Sequence, residues 1–362
     1  MKIFSFTLLI VSLFTFRLCS PTDLEPPGPD PDLPSPEGQW DRLGLTDKSV
    51  EQLDIFKNLI FAGTDEGMYR KNVVSKDTVW TPIGLQRFEV LDFIVFSPEY
   101  LIASVRPPIP KDPVSIYRTL DGGETWEPYQ NNFGGRSGQN VCTALDALIT
   151  APDTLFGRGD FVVAKSENGG ESWRPVLGEW GSFGYQSDLI RIDEQNPNIV
   201  WAGGEGGIFN PYLYKSTDYG ETWDFKSVPN DGDNAVYDIE IKPGDSETVV
   251  VGLEGLLVRS TDGADSFTIT AEPAEGTYFL ALDRAPGVSE SLVYASGSEF
   301  GTKAGSLFFY RSEDFGQTWT KVVNNEDEYA PLATLDLEVR TNFLRDGIFF
   351  GTDRGVWLYQ GF

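Results

Sequence analysis

KSTDYGETW, residues 215–223, sets a hydroxyl, a carboxylate, a glycine, a second hydroxyl and a tryptophan in fixed order: Ser216-x-Asp218-x-Gly220-x-Thr222-Trp223. One copy of such a string could be a catalytic motif or a turn. The same spacing recurs from Thr119 to Trp126, Ser166 to Trp173, Ser260 to Phe267 and Ser312 to Trp319. The first residues of the five copies lie 47, 50, 44 and 52 positions apart. A period of that size marks an array of small supersecondary units. Five copies cannot be five active sites, so the string is architectural.

Each copy follows an alternating apolar run ("YLYKS", "LFFYRS") and precedes another ("WDFKSV", "WTKVV"), the pattern of a β-hairpin. The first hydroxyl and the carboxyl group of Asp121, Asn168 (as an amide), Asp218, Asp262 or Asp314 can accept turn N–H groups. Gly at the fifth position suits positive φ, and the aromatic is expected to open the return strand and cover the turn with its ring. These residues resemble the Asp box, or BNR repeat, of sialidases, sortilin, xyloglucanases and the photosystem II assembly factor of plastids and cyanobacteria. The resemblance implies a β-propeller in which the box joins the two outer strands of a blade, on the face opposite the ligand site. Asn168 and Ala264 depart from the pattern and read as decayed copies.

The hairpin aromatics extend the count. Trp40, Trp80, Trp126, Trp173, Trp223, Phe267 and Trp319 form a series of seven, and the chain runs 43 residues beyond the last. "DGIFFGTDRGVWLYQGF" at the C-terminus resembles "NLIFAGTDEGMYRKN" of the first unit but lacks a return strand. Trp40 supplies one. The expectation is an all-β, single seven-bladed propeller over residues 39–362, its ring closed by residues 39–45 completing the blade built from 331–362. Inner strands are expected at "LDIF", "LDFIVF", "LDALIT", "SDLIRI", "YDIEI", "FLALD" and "LDLEV".

Lys plus Arg is 28 against 55 Asp plus Glu, a net charge of −27. No basic footprint for nucleic acid or anionic lipid is present. Histidine is absent from all 362 residues, which removes Ser-His-Asp, Cys-His and His-ligated zinc chemistry. Met1-Lys2 and the apolar run Ile3–Phe16 read as an export signal within residues 1–19, and residues 20–38 as a Pro- and Asp-rich tether. A cysteine before such a tether resembles a bacterial lipoprotein, with Cys19 lipidated and the protein facing the periplasm or cell surface. Phe16-Arg17-Leu18 lacks the small residues of the usual lipobox, and simple secretion is the alternative. Cys142 reads as a buried free thiol in an inner strand.

In a four-stranded blade the loop leading into the inner strand and the loop between strands two and three share one rim, and the boxes occupy the other. Two features gather on the non-box rim. Asp54, Asp92, Asp146, Asp188, Asp238 and Asp336 recur near the start of the inner strands, the sixth blade having Phe279 or Leu280 instead. They either accept N–H groups of their own loops or ring a channel mouth as a divalent-cation or cationic-ligand site, with Asp92, Asp146 and Asp238 the cation candidates. Glycine- and aromatic-rich loops also offer Trp180, Tyr185 and Phe209 as stacking contacts and Arg136 as an anion contact, with Phe183, Phe300 and Lys303 beside them.

Two functions follow. A non-catalytic binding or assembly module would take a protein or carbohydrate partner on that rim, as the resemblance to the assembly-factor and sortilin propellers implies. A glycoside hydrolase would need two carboxyl groups about 5–9.5 Å apart. No Arg-Ile-Pro of the sialidase kind occurs, and xyloglucanases resemble two such rings facing a cleft where one is read here. Ring aspartates could still meet the spacing.

Overall fold

The computed structural model describes residues 38–361 apart from 74–76, 107–113, 130–132, 134–140, 160–161, 180–184, 207–209, 230–234, 274–275, 286, 288, 300–306, 325–332 and 343–344; for 185–188, 206, 341–342 and 345–346 it describes the backbone alone. Among these residues every regular element is a strand, and the strands form seven four-stranded antiparallel sheets. Six sheets are simple meanders of consecutive strands. Their inner strands are Val50–Phe56, Glu89–Val95, Ala144–Ala147, Tyr185–Ile192, Val236–Ile241 and Thr277–Arg284, numbered here as sheets 1 to 6. Sheet 7 runs outward from Thr334–Asn342 and takes its outermost strand, Gln39–Gly44, from the N-terminal side of the chain. Each inner strand packs on the next, and that of sheet 7 packs on that of sheet 1. The ring is a closed seven-bladed propeller.

Closure follows the tryptophan series. Trp40 pairs with Tyr359, and the ladder runs from Gln39–Gln360 to Gly44–Val356. The core lies between sheets rather than inside any one of them. Leu189, Trp201 and Leu213 of sheet 4 pack with Val236, Val251 and Val258 of sheet 5, all at most 4 % exposed. Covering both faces of a strand explains why the inner segments read as near-continuous apolar runs.

The repeat turns have one geometry. Ser216 Oγ accepts from Gly220 N at 2.8 Å, while Asp218 Oδ1 accepts from Thr222 N at 2.8 Å and Oδ2 from the Thr222 hydroxyl at 2.6 Å. Asp121, Asp262 and Asp314 repeat these bonds. The two departures keep the geometry. Asn168 Oδ1 accepts from Ser172 N at 2.9 Å while its Nδ2 donates to Ser172 Oγ. Ala264 takes φ +68°, where Gly220 has +80°. Neither copy has lost its turn.

The aromatics do more than cover their own turns. Trp80 Nε1 donates to Leu43 O at 2.9 Å and Trp126 Nε1 to Ile83 O at 2.6 Å, so each ring reaches back to the preceding sheet. Trp173 stays local, on Gly170 O. A further periodic residue escaped the sequence reading, which passed over Lys215. A cation stands immediately before each repeat hydroxyl: Arg118, Lys165, Lys215, Arg259 and Arg311. Lys165 Nζ donates to Tyr219 O and Arg259 Nε to Phe315 O, both at 2.8 Å and both in the next sheet's turn. Lys215 reaches Glu247 of the next sheet at 3.2 Å. The signal was in the sequence; its target was not, because it lies about one repeat away.

The turn carboxylates give a testable acid limb. Hydrogen bonds from the Thr222 hydroxyl and N–H hold Asp218 down to about 2, and Asp121 and Asp262 are held there likewise. A carboxylate held below its unfolded value stabilises the fold above about pH 4, and that stabilisation is lost as pH falls through about 2. Asp218→Ala should therefore lower the melting temperature at neutral pH, with the gap to the parent closing toward pH 2, whereas Asp218→Asn, the chemistry of Asn168, should cost less. Melting curves of the three proteins across acid pH decide it; a gap independent of pH would remove the carboxylate from the turn's stabilisation.

Candidate functional site

The channel is lined by inner-strand side chains, and a register shift near the start of these strands decides which. The ladder slips between Val50 and Gln52, Val90 and Asp92, Ser187 and Leu189, Val236 and Asp238, Phe279 and Ala281, and Thr334 and Asp336. A bulge inserts one residue and resets the alternation of faces. The residues just past it form a first row: Gln52, Asp92, Leu189, Asp238, Ala281 and Asp336. Two residues on, at period two, comes a second row: Asp54, Ile94, Arg191, Glu240, Asp283 and Glu338. Sheet 3 contributes Ala144 and Asp146.

Carboxyl groups of both rows join one sheet to the next. In the first row Asp92 Oδ2 accepts from Leu145 N at 2.6 Å, Asp238 Oδ2 from Leu282 N at 2.8 Å and Asp336 Oδ2 from Leu53 N at 2.6 Å. Gln52 Oε1 does the same for Phe93 N at 2.5 Å. In the second row Asp146 Oδ2 accepts from Ile192 N and Asp283 Oδ2 from Val339 N, both at 2.6 Å. Between sheets 4 and 5 an ion pair takes this place, Arg191 Nη2 to Asp238 Oδ1 at 2.9 Å.

The aspartate series is thus not one ring. Asp92, Asp238 and Asp336 sit in the first row, Asp54 and Asp146 in the second. Asp188 falls at the bulge of sheet 4, its side chain outside the described residues. In sheet 6 the expected Phe279 or Leu280 gives way to Asp283, of the pair Leu282-Asp283, two residues past Ala281. The N–H groups accepted belong to the neighbouring sheet's strand and to the next residue of the same strand, as with Phe93 N on Asp92 Oδ1 at 2.7 Å, and not to the loop before it.

Burial dominates the electrostatics. It pushes Asp54, Asp92 and Asp283 up to about 7, Asp146 and Asp336 up to about 6 and Glu240 up to about 8, against the lowering effect of their N–H donors or cations. A cavity of about 690 Å³ opens where the second row ends, lined by Asp54, Asp146, Arg191, Glu240, Asp283 and Glu338. Lys57, Ile149, Glu194 and Lys242, at the turns into the second strands, and Arg340, within its inner strand, line its mouth. In an antiparallel meander those turns share a face with the repeat turns, so this cavity lies on the repeat-turn face. Carboxyls held near neutrality can donate or accept a proton at physiological pH. Among the described residues no group of three or more acids and thiols is placed to hold a metal ion.

The side chains expected as contacts on the other rim are outside the described residues. Arg136, Trp180, Phe183, Phe209, Phe300 and Lys303 lie outside the described residues, as do the signal, Cys19 and the tether up to residue 37. Tyr185 opens an inner strand opposite Gly206, its side chain likewise outside. Cys142 is a buried free thiol, two residues ahead of the inner strand Ala144–Ala147 instead of within it.

No family model matches the chain. A xyloglucanase of Paenibacillus sp is 27 % identical over 284 residues, covering 74 % of this chain and 25 % of that protein. A xyloglucanase of Hypocrea jecorina is 25 % identical over 208 residues, covering 57 % and 22 %. The chain spans about a quarter of the length of these curated relatives. Among solved structures, YCF48 bound to D1 peptide superposes with a TM-score of 0.61 at 13 % identity, covering 91 % of this chain and 98 % of that one. An ancestral GH74 enzyme gives 0.63 at 14 % identity over 86 % and 44 %. A chain of the mitotic checkpoint complex gives 0.64 at 11 % identity over 98 % and 99 %. At these identities the likeness is one of fold.

Proposed function

We propose that this protein is a non-catalytic, exported binding or assembly module, which takes a protein or glycan partner on the rim opposite the repeat turns. The observation that carries the reading is the engagement of the inner aspartates. Asp92, Asp146, Asp283 and Asp336 each accept a backbone N–H from the adjacent sheet at 2.6 Å, a structural duty at the positions where a hydrolase on this scaffold would look for free acids. The repeat turns are likewise accounted for by turn formation. What differs from repeat to repeat is the set of segments bearing Arg136, Trp180 and Phe209, with Tyr185 at the start of an inner strand, and variable aromatic segments on a rigid ring suit specific recognition. A fold neighbour solved with a bound peptide is consistent with such use. Attachment to a membrane would run through Cys19 alone.

Substituting Trp180 and Tyr185 together by Ala should leave the melting temperature nearly unchanged and remove the partner from pull-downs out of native membranes, or the signal from a glycan array. Retention of the partner by the double variant would place recognition elsewhere.

The second reading is a glycoside hydrolase. Both curated matches are xyloglucanases, and Asp54, Asp146 and Asp283, raised to between about 6 and 7, line one cavity. Release of reducing sugar from xyloglucan by the purified protein, abolished by Asp146→Asn, would put this reading first.

A further inference from the structure

From sheet 5 through sheets 6 and 7 to sheet 1 the second row reads Glu240, Asp283, Glu338 and Asp54, acids at one register step on successive sheets, all lining the cavity. Glu240 is in an ion pair with Arg284 at 2.9 Å, and the other three stand on sheets 6, 7 and 1. Elsewhere the row is interrupted by Ile94 and Arg191. The middle sheet of the three is the one that Gln39–Gly44 completes. Its inner strand hangs between carboxyl bonds, Asp283 to Val339 N on one side and Asp336 to Leu53 N on the other. We propose that Asp283, Glu338 and Asp54 form a proton-dependent latch: carrying protons they let sheets 6, 7 and 1 close round the channel, and ionised they repel, loosening sheet 7 and the N-terminal strand that completes it.

The surrounding charges do not cancel this repulsion. Glu338 faces Asp283 from sheet 6, Asp54 from sheet 1 and Asp336 from its own strand, against Arg191 as the cation that reaches it. Arg191 is already paired with Asp238 and faces Asp146 and Glu240 as well. Asp283 faces Glu240 of sheet 5 and the cations Arg191 and Arg284. Arg284 is shared between Glu194 at 2.6 Å and Glu240 at 2.9 Å. Asp54 faces Asp336 on one side, and Asp92 follows on sheet 2 with Arg158 beyond it. At the mouth, Lys57 lies over the Phe56 ring, Arg340 donates to Asn58 Oδ1 at 2.7 Å, and Lys242 stands 4.0 Å from Asp245.

Burial supports the direction, holding Asp54 and Asp283 up to about 7 and Glu338 well above the usual carboxylate range. For an acid raised on folding, the stabilisation is complete below about pH 4 and is lost as pH rises through the folded value, here about 7. The latch is therefore closed on the acid side and loosened on the alkaline side.

The test is hydrogen exchange with mass spectrometry on the full chain between about pH 5.5 and 8.5, read at residues 39–44 and 355–360 and corrected for intrinsic exchange, with melting curves alongside. The parent should lose protection there by about tenfold or more across the range, one such factor for each proton-linked unit. Glu338→Gln with Asp283→Asn keeps an acceptor for Val339 N and should flatten the exchange profile at these residues and reduce the slope of the melting profile, the rest of which belongs to acids such as Asp92 and Glu240. Glu338→Gln alone, which removes none of the carboxyl bonds between sheets, should reduce the slope and serves if the pair fails to fold. Asp218→Asn, distant in role, should leave the neutral limb unchanged, which separates the latch from the general repulsion of a chain at −27. Flat parent profiles, or a parent-like slope in both Glu338 variants, would overturn the latch. Neither result bears on what the opposite rim binds.

Discussion

A chain lacking residues 39–45 should not be recovered as a folded monomer. Their strand supplies the outer ladder of sheet 7, from Gln39–Gln360 to Gly44–Val356. Trp40 packs its ring 4.9 Å from Tyr359, 5.2 Å from Phe350 and 5.8 Å from Phe309, and Arg42 stacks 4.9 Å over Trp357. Leu43 is 7 % exposed and its carbonyl accepts the Trp80 indole. Losing a packed Trp and a packed Leu together costs about 5–10 kcal/mol, comparable with the about 5–15 kcal/mol that holds a typical domain folded. The lost ladder adds about 0.5–1.5 kcal/mol per bond. What remains is an uncovered strand, Gly355–Gln360, whose Val356, Trp357 and Leu358 were all buried, so the expected product is aggregate. Soluble yield and size-exclusion profile measure this. A cooperative melt within a few degrees of the parent would show that the ring does not depend on this strand.

Asp92→Ala is the second large effect. Asp92 is 8 % exposed and its carboxyl accepts both Phe93 N and Leu145 N; Phe93 N keeps Gln52 Oε1 on truncation, so one buried donor, Leu145 N, is left without a partner. At about 1–3 kcal/mol for a stranded group, the loss of stability should be about 1–3 kcal/mol by chemical denaturation. Asp92→Asn keeps an acceptor and should cost less, in a pH-dependent way. Burial raises the native acid to about 7, so the parent loses stability as pH rises from about 4 through 7, while the amide does not titrate. The amide variant should compare worst with the parent near pH 4, gain on it between about pH 4 and 7, and hold a constant difference above that. An Asp92→Ala loss below about 0.5 kcal/mol would mean that the bond between sheets 2 and 3 contributes nothing net.

These two residues mark how much of the molecule is legible in the chain. Trp40 was readable because its cue is a spacing, and spacings survive without coordinates. Asp92 was visible as an acid recurring at the start of inner strands, but its partner, Leu145 N, lies 53 residues away in the next sheet. Lys165, Lys215 and Arg259 show the same division: the cation before each hydroxyl is periodic, yet what it holds is a turn one repeat further on.

By itself the sequence determined the all-β class, the seven units, the turn at each repeat and the strand that closes the ring, because each depends on the order of residues within one hairpin or on the interval between hairpins. Only the tertiary structure decided which side chains share the channel. Counted from the bulge of its own strand, Asp54 stands one step beyond Asp92, Asp238 and Asp336, and Asp283 stands level with Asp54. Period-two alternation is reset wherever a bulge falls, and the place of a bulge is set by packing between sheets, which no local pattern records.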